Sequence, residues 1–181
     1  MTSLPKIDTK FMLEFLTKLL NTPSPTGFTQ AAIDLTEKTL KNFSALEIGR
    51  THKGALVATW PGEKSDTPRA LTAHIDTLGA MVKEIKSTGR LKLTKIGGYG
   101  WSSVEGEGCT IFTNQGEKVR GSLLLVQASG HVHGAKFTDT KREDDNMEVR
   151  IDILTTSAEE TRAVGIEVGD FVAFDPRVEI T

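Results

Sequence analysis

The sequence predicts a mixed α/β chain in two parts. The opening of an α/β layer fold is followed by a small, compact β domain of barrel or sandwich type. Three observations carry this. Two amphipathic helical patterns precede a nearly continuous apolar strand. After Asp76 the pattern changes to many short β-rich stretches separated by glycine turns. The first part, about 75 residues, holds too few strands to bury a sheet on both faces, so it needs more chain to finish its core.

Phe11, Phe15, Leu16, Leu19 and Leu20 recur at three- and four-residue steps, with Glu14 and Lys18 outside, and predict the first helix. The cluster 21–27, Asn-Thr-Pro-Ser-Pro-Thr-Gly, ends it. A second helix is expected from about Thr29 to Asn42, with Ala32, Ile33, Leu35 and Leu40 apolar. Strands are then expected over 46–50, 55–60 and 69–75. In the last, Ala70-Leu71-Thr72-Ala73 reads as an interior strand.

Beyond Asp76, Ala80-Met81-Val82 and Leu91-Lys92-Leu93 flank the turn Ser87-Thr88-Gly89. The stretches 111–113 and 119–126 flank Asn114-Gln115-Gly116-Glu117. In 147–153, Val149 and Ile151 alternate with Glu148, Arg150 and Asp152, the pattern of a strand. A short helix is expected over 158–164 and a last strand over 171–174. The polar stretch 130–146 reads as a long loop.

Bulk properties narrow the function. The 181 residues carry a net charge of −2, with an isoelectric point near 6.1, so nothing in the charge balance favours nucleic acid or an anionic membrane as a partner. No apolar run is long enough to span a bilayer, and the first ten residues have no apolar signal core. The single cysteine, Cys109, rules out an internal disulfide and fits a reducing cytoplasm. Its neighbours Thr110, Ile111 and Phe112 mark it as a strand hydrophobe rather than a nucleophile, and no Gly-x-Ser-x-Gly elbow is present.

Among the four histidines, His74 has the most informative context. It closes the expected strand, where α/β folds gather ligands. In extended chain His74 and Asp76 project to the same side. A carboxylate beside an imidazole fixes its tautomer and strengthens it as a metal ligand. The alternative is a hydrogen-bonded histidine with no metal. His131 and His133 offer a second pair if the segment is extended, against a loop or packing role. His52 falls in an expected turn. Glu159-Glu160 reads as a solvated helix face, and Asp144-Asp145 as part of a charged loop.

The segment 22–27 (Thr-Pro-Ser-Pro-Thr-Gly), the run 71–82 from Leu71 through His74 and Asp76 to Val82, and Ile96-Gly97-Gly98 together resemble the glutamyl aminopeptidase / cellulase M family of cocatalytic metallopeptidases. So do the stretch 165–172, Gly-Ile-Glu-Val-Gly-Asp-Phe-Val, and Asp175-Pro176-Arg177. The resemblance covers nearly the whole chain in order. It implies an α/β peptidase domain interrupted, after the His-x-Asp segment, by a barrel-like domain used for dimerisation. The boundaries it implies are 1–78 for the first part of the peptidase domain, 79–176 for the insert and 177–181 for the return.

The resemblance further implies two divalent metals, commonly zinc or cobalt, peptide substrates and a homo-oligomer. By it, His74 would ligate one metal and Asp76 would orient His74. The family usually has Glu after that Asp, whereas this chain has Thr77, a position where related sequences vary. The family's other ligands and its Glu-Glu pair with the general base follow the insert, beyond Thr181. A catalytic zinc needs about three protein ligands, so the 181-residue chain is expected to be the N-terminal, truncated portion and to be inactive alone. The other reading is a non-catalytic assembly or regulatory module built on the β domain. The unfinished core of the first part predicts exposed apolar surface and a tendency to associate.

Overall fold

The computed structural model describes residues 6–64 and 66–181. These divide into two compact units. One contains the residues up to Pro23, Thr29–Asp76 and Pro176–Thr181, and the other contains Ser24–Phe28 and Thr77–Asp175.

The first unit holds helices α1 (Thr9–Leu20) and α2 (Gln30–Leu40), and strands β1 (Glu47–Arg50) and β2 (Leu56–Thr59). Asp8 caps α1, its carboxylate accepting a hydrogen bond from the Phe11 amide at 2.9 Å. β1 and β2 form an antiparallel two-stranded sheet. Arg50 ties β1 to α2, donating to Glu37 from Nε at 2.7 Å and to Asp34 from Nη2 at 2.6 Å. Both helices fall where the periodicity places them, but no residue of α1 is buried, and Ala32 is the buried residue of α2. Phe11, Met12, Leu16 and Leu20 all lie exposed, in keeping with the exposed apolar surface expected for this part.

The expected strand over 69–75 does not form. Residues 69–76 run without regular secondary structure, and Leu71 is fully exposed. An interior strand is stabilised by backbone partners on both sides and by cover on both faces. Among the described residues this segment has no strand pairing to supply either.

The second unit is a closed six-stranded antiparallel barrel. Its strands are β3 (Gly79–Ile85), β4 (Leu91–Ile96), β5 (Gly108–Phe112), β6 (Lys118–Leu125), β7 (Met147–Ile151) and β8 (Phe171–Phe174). They run around the barrel in the order β3-β4-β7-β6-β5-β8, and β8 closes it by pairing with both β5 and β3. Alternation fills the interior: Val119, Leu123 and Leu125 of β6 point inward against Val82, Leu93, Ile111, Val149 and Val172. Each such aliphatic side chain stabilises the fold by about 1.5–3 kcal/mol. Gly121 sits at the β6–β7 contact, where a Cβ would lie 2.8 Å from the Arg150 carbonyl oxygen. The β3–β4 turn closes on Gly89, whose φ of +81° suits glycine.

One expectation for this unit needs correction. The stretch 130–146 is not a structureless loop, because it contains two short helices, α3 (Gly130–His133) and α4 (Ala135–Asp139). Arg142 secures their exit, donating to the Phe137 and Thr140 carbonyls and pairing with Glu105. Helices of one turn are too short to leave a periodic pattern. Glu148 alternates with the inward-facing Met147 and Val149, yet it is only 3% exposed, because it accepts hydrogen bonds from Lys86 Nζ at 2.8 Å and Arg90 Nη1 at 2.7 Å, which cover it. Two cations make burial of this carboxylate tolerable. Helix α5 (Ala158–Ala163) lies where it is expected.

Candidate metal-ligating site

His74 and Asp76 come together although no strand carries them. His74 Nδ1 lies 3.0 Å from Asp76 Oδ1. The imidazole is 85% exposed and Asp76 is 34% exposed. With Nδ1 engaged by a carboxylate, the neutral ring carries its proton there, and Nε2 is the lone-pair nitrogen directed outward. That is the donor chemistry of a metal-ligating histidine. The described residues hold no group of three His, Cys, Asp or Glu side chains able to bind a metal ion. The pair therefore fits as one ligand with its orienting carboxylate and does not by itself build a metal centre.

The other candidates have structural employment or stand apart. His131 and His133 lie on α3, not on extended chain, so side chains two apart are turned to different sides. His52 is exposed in the turn between β1 and β2. Glu160 accepts from the Thr156 amide at 2.6 Å, and its own amide donates to Ser157 Oγ at 3.1 Å. This helix-start arrangement holds its carboxyl below the usual range. Asp144 accepts from Trp101 Nε1 at 2.6 Å, and Asp145 pairs with Lys92, whose ammonium lowers the Asp145 pKa. Cys109 is buried in the barrel wall, and desolvation pushes its thiol up to about 12.

Two features of the second unit have no counterpart among the sequence-based expectations. One is the Glu148 ion triad. The other is the packing of Ser24–Phe28, between α1 and α2 in sequence, with the barrel. No local signal announces either, because their partners are distant in the chain.

The profile of the M42 glutamyl aminopeptidase family matches residues 54–181. The chain belongs to the M42 glutamyl aminopeptidase family. YhfE of Bacillus subtilis (strain 168), a provisionally named aminopeptidase, is 48% identical over 169 residues, covering 93% of this chain and 48% of that protein. The lysyl aminopeptidase of Pyrococcus furiosus is 27% identical, covering 90% of this chain and 45% of that protein. This M42 chain thus spans about half the length of the curated relatives it matches.

Solved structures show the same fold. The aminopeptidase APDkam598 from Desulfurococcus kamchatkensis superposes with a TM-score of 0.81 at 24% identity, over 94% of this chain and 45% of that one. A TET aminopeptidase from a marine sediment Thaumarchaeota archaeon gives 0.79 at 23% identity, over 97% and 47%. The M42 chain therefore holds a mixed helix–strand unit and a closed barrel, matching about half of an aminopeptidase chain. Among its described residues no helix is long and apolar enough to cross a membrane.

Proposed function

We propose that this chain is the part of a metal-dependent aminopeptidase that supplies one metal ligand, His74, with Asp76 holding the imidazole in its ligating tautomer. The observation that carries the reading is the 3.0 Å contact between His74 Nδ1 and Asp76 in an M42 chain. The substrates are peptides, shortened from their N-termini. Two divalent ions, zinc or cobalt, would be held in the complete site, with His74 as one donor, and would supply Lewis-acid chemistry there. Residues 1–181 provide one donor of that set, and the 181-residue chain alone is inactive.

The domain reading is 1–78 for the first part of the peptidase domain, 79–176 for an inserted barrel used in homo-oligomerisation, and 177–181 for the return. The single cysteine, with no internal disulfide to form, supports a cytoplasmic site of action. The second reading, a non-catalytic assembly module, rests on the barrel's own closed core.

Zinc titration followed by histidine ring NMR, run beside a panel of aminoacyl chromogens, tests the proposal. Zinc should shift the His74 resonances, weakly and reversibly, with no turnover, and His74→Ala should abolish that response. Zinc that leaves His74 unperturbed overturns the ligand assignment. Metal-dependent turnover by this chain overturns the claim that its site is incomplete.

A further inference from the structure

The second unit carries an open hollow of about 480 Å³ on the barrel wall, bounded by the β3–β4 turn, β7 and the residue after β6. Lys86 and Arg90 bring two cations to it, Glu84 and Glu148 two carboxylates. The carboxylates differ in employment. Glu148 is buried, and each of its oxygens is engaged, one by Lys86 Nζ at 2.8 Å and one by Arg90 Nη1 at 2.7 Å. Glu84 is exposed, and its carboxylate accepts no hydrogen bond among the described residues. Its charge is felt by Lys92, but that ammonium is bonded to Asp145.

Glu148 thus holds both cations in place and neutralises only one of them. A guanidinium has five N–H donors and an ammonium three, so most of the donors of Arg90 and Lys86 stay unspent. The turn that carries them is set in advance. The Lys86 amide donates to the Arg90 carbonyl and the Gly89 amide to the Lys86 carbonyl, both at 2.8 Å. The fully buried Thr161 hydroxyl donates to the Gly89 carbonyl at 2.8 Å. Donors fixed beforehand cost little to order when a ligand arrives.

The hollow therefore offers one surplus cation, one free carboxylate and the exposed apolar side chain of Val126. An anion without a cationic end leaves Glu84 unmet, and a cation without an anionic end leaves Lys86 and Arg90 unmet. We propose that this hollow binds a free α-amino acid with an aliphatic side chain. Arg90 and Lys86 take its carboxylate, helped by the Ser87 and Thr88 hydroxyls. Glu84 takes its ammonium, and its side chain lies on Val126. The choice of ligand rests on the proposed function, because hydrolysis of a peptide from its N-terminus releases a free amino acid at each step. The hollow is then a product-sensing site on the barrel.

The test titrates the 15N-labelled 181-residue chain, at low ionic strength, with three probes. These are L-leucine, N-acetyl-L-leucine (no ammonium) and L-leucinamide (no carboxylate). Leucine should shift the amides of residues 84–90, 126 and 148 with a Kd of roughly 1–10 mM. Each blocked form should bind at least about tenfold more weakly. Glu84→Gln should weaken leucine at least about threefold and leave N-acetyl-leucine unchanged. Glu159→Gln, which removes an exposed carboxylate on α5, should change neither.

Leucine that shifts none of these amides at about 50 mM overturns the site. N-acetyl-leucine that matches leucine makes the hollow a plain anion site and overturns the amino-acid reading. Leucinamide that matches leucine overturns the roles of Lys86 and Arg90. These three outcomes are read on the unsubstituted chain and depend on no variant folding. Zinc that fails to perturb His74 overturns the metal reading instead, and the leucine shifts still decide the hollow.

Discussion

Replacing Glu148 with glutamine should destabilise the barrel far more than a change of one surface charge. The carboxylate is 3% exposed and takes two charge-assisted hydrogen bonds, from Lys86 at 2.8 Å and Arg90 at 2.7 Å. Such bonds contribute about 1.5–3 kcal/mol each when well shielded. The Lys86 side chain is 23% exposed, so its bond keeps most of that value. The Arg90 side chain is 39% exposed, and its share falls toward the modest worth of a surface pair.

Glutamine keeps the size and one acceptor, so the expected loss is about 2–3 kcal/mol. For a unit of roughly 100 residues, each kcal/mol moves the melting temperature by about 4–8 °C, giving a drop of about 10–20 °C. Thermal unfolding followed by circular dichroism reads this, with Arg150→Gln, an exposed neighbour on β7, as the control. A drop below about 3 °C, or one matched by the control, would refute the reasoning that the two cations stabilise the barrel through this buried carboxylate.

Leu123→Ala, at a position with no exposed surface, should cost about 2–5 kcal/mol in urea unfolding, through lost burial and the cavity left behind. Cys109 should react with a thiol reagent at pH 8 only on unfolding. Its folded pKa of about 12 lies above the ordinary 9.0, so the native state binds the proton more tightly. That stabilisation is complete below pH 9 and is lost as pH rises from 9 toward 12; Cys109→Ala should flatten that part of the stability profile. The exposed apolar face of α1 should bind a hydrophobic dye and promote concentration-dependent association, and a Phe11→Ser, Leu16→Ser double substitution should reduce both signals in dye fluorescence and sedimentation.

The barrel was legible because its information is local. Alternation in β6, the glycine turns at Gly89 and Gly116, and the apolar run in β8 each sit within a few residues. The helices were legible from three- and four-residue spacing for the same reason. The strand expected at 69–75 shows the limit of local reading: Ala70-Leu71-Thr72-Ala73 has the composition of an interior strand, but a strand forms only against neighbours. Glu148 escaped local reading for a related reason, since its partners lie 62 and 58 residues away in sequence. The His74–Asp76 contact was readable because two residues in extended chain share a side. The hydrogen bond from the Thr77 amide to the Ser24 carbonyl, made across half a hundred residues of sequence, left no such trace.

The pairing of β3 with β8 has a further consequence. Gly79 lies opposite Ala173, so the first and last strands of the barrel are hydrogen-bonded neighbours running in opposite directions. Chain enters and leaves this module at adjacent points, about 5 Å apart as antiparallel partners are. A polypeptide with that property can be spliced into a tight turn of a host without stretching it, and removed again with a short bridge. The barrel is in that sense a cassette that asks two things of the chain around it: a pair of neighbouring attachment points, and the segment Ser24–Phe28 that packs with it.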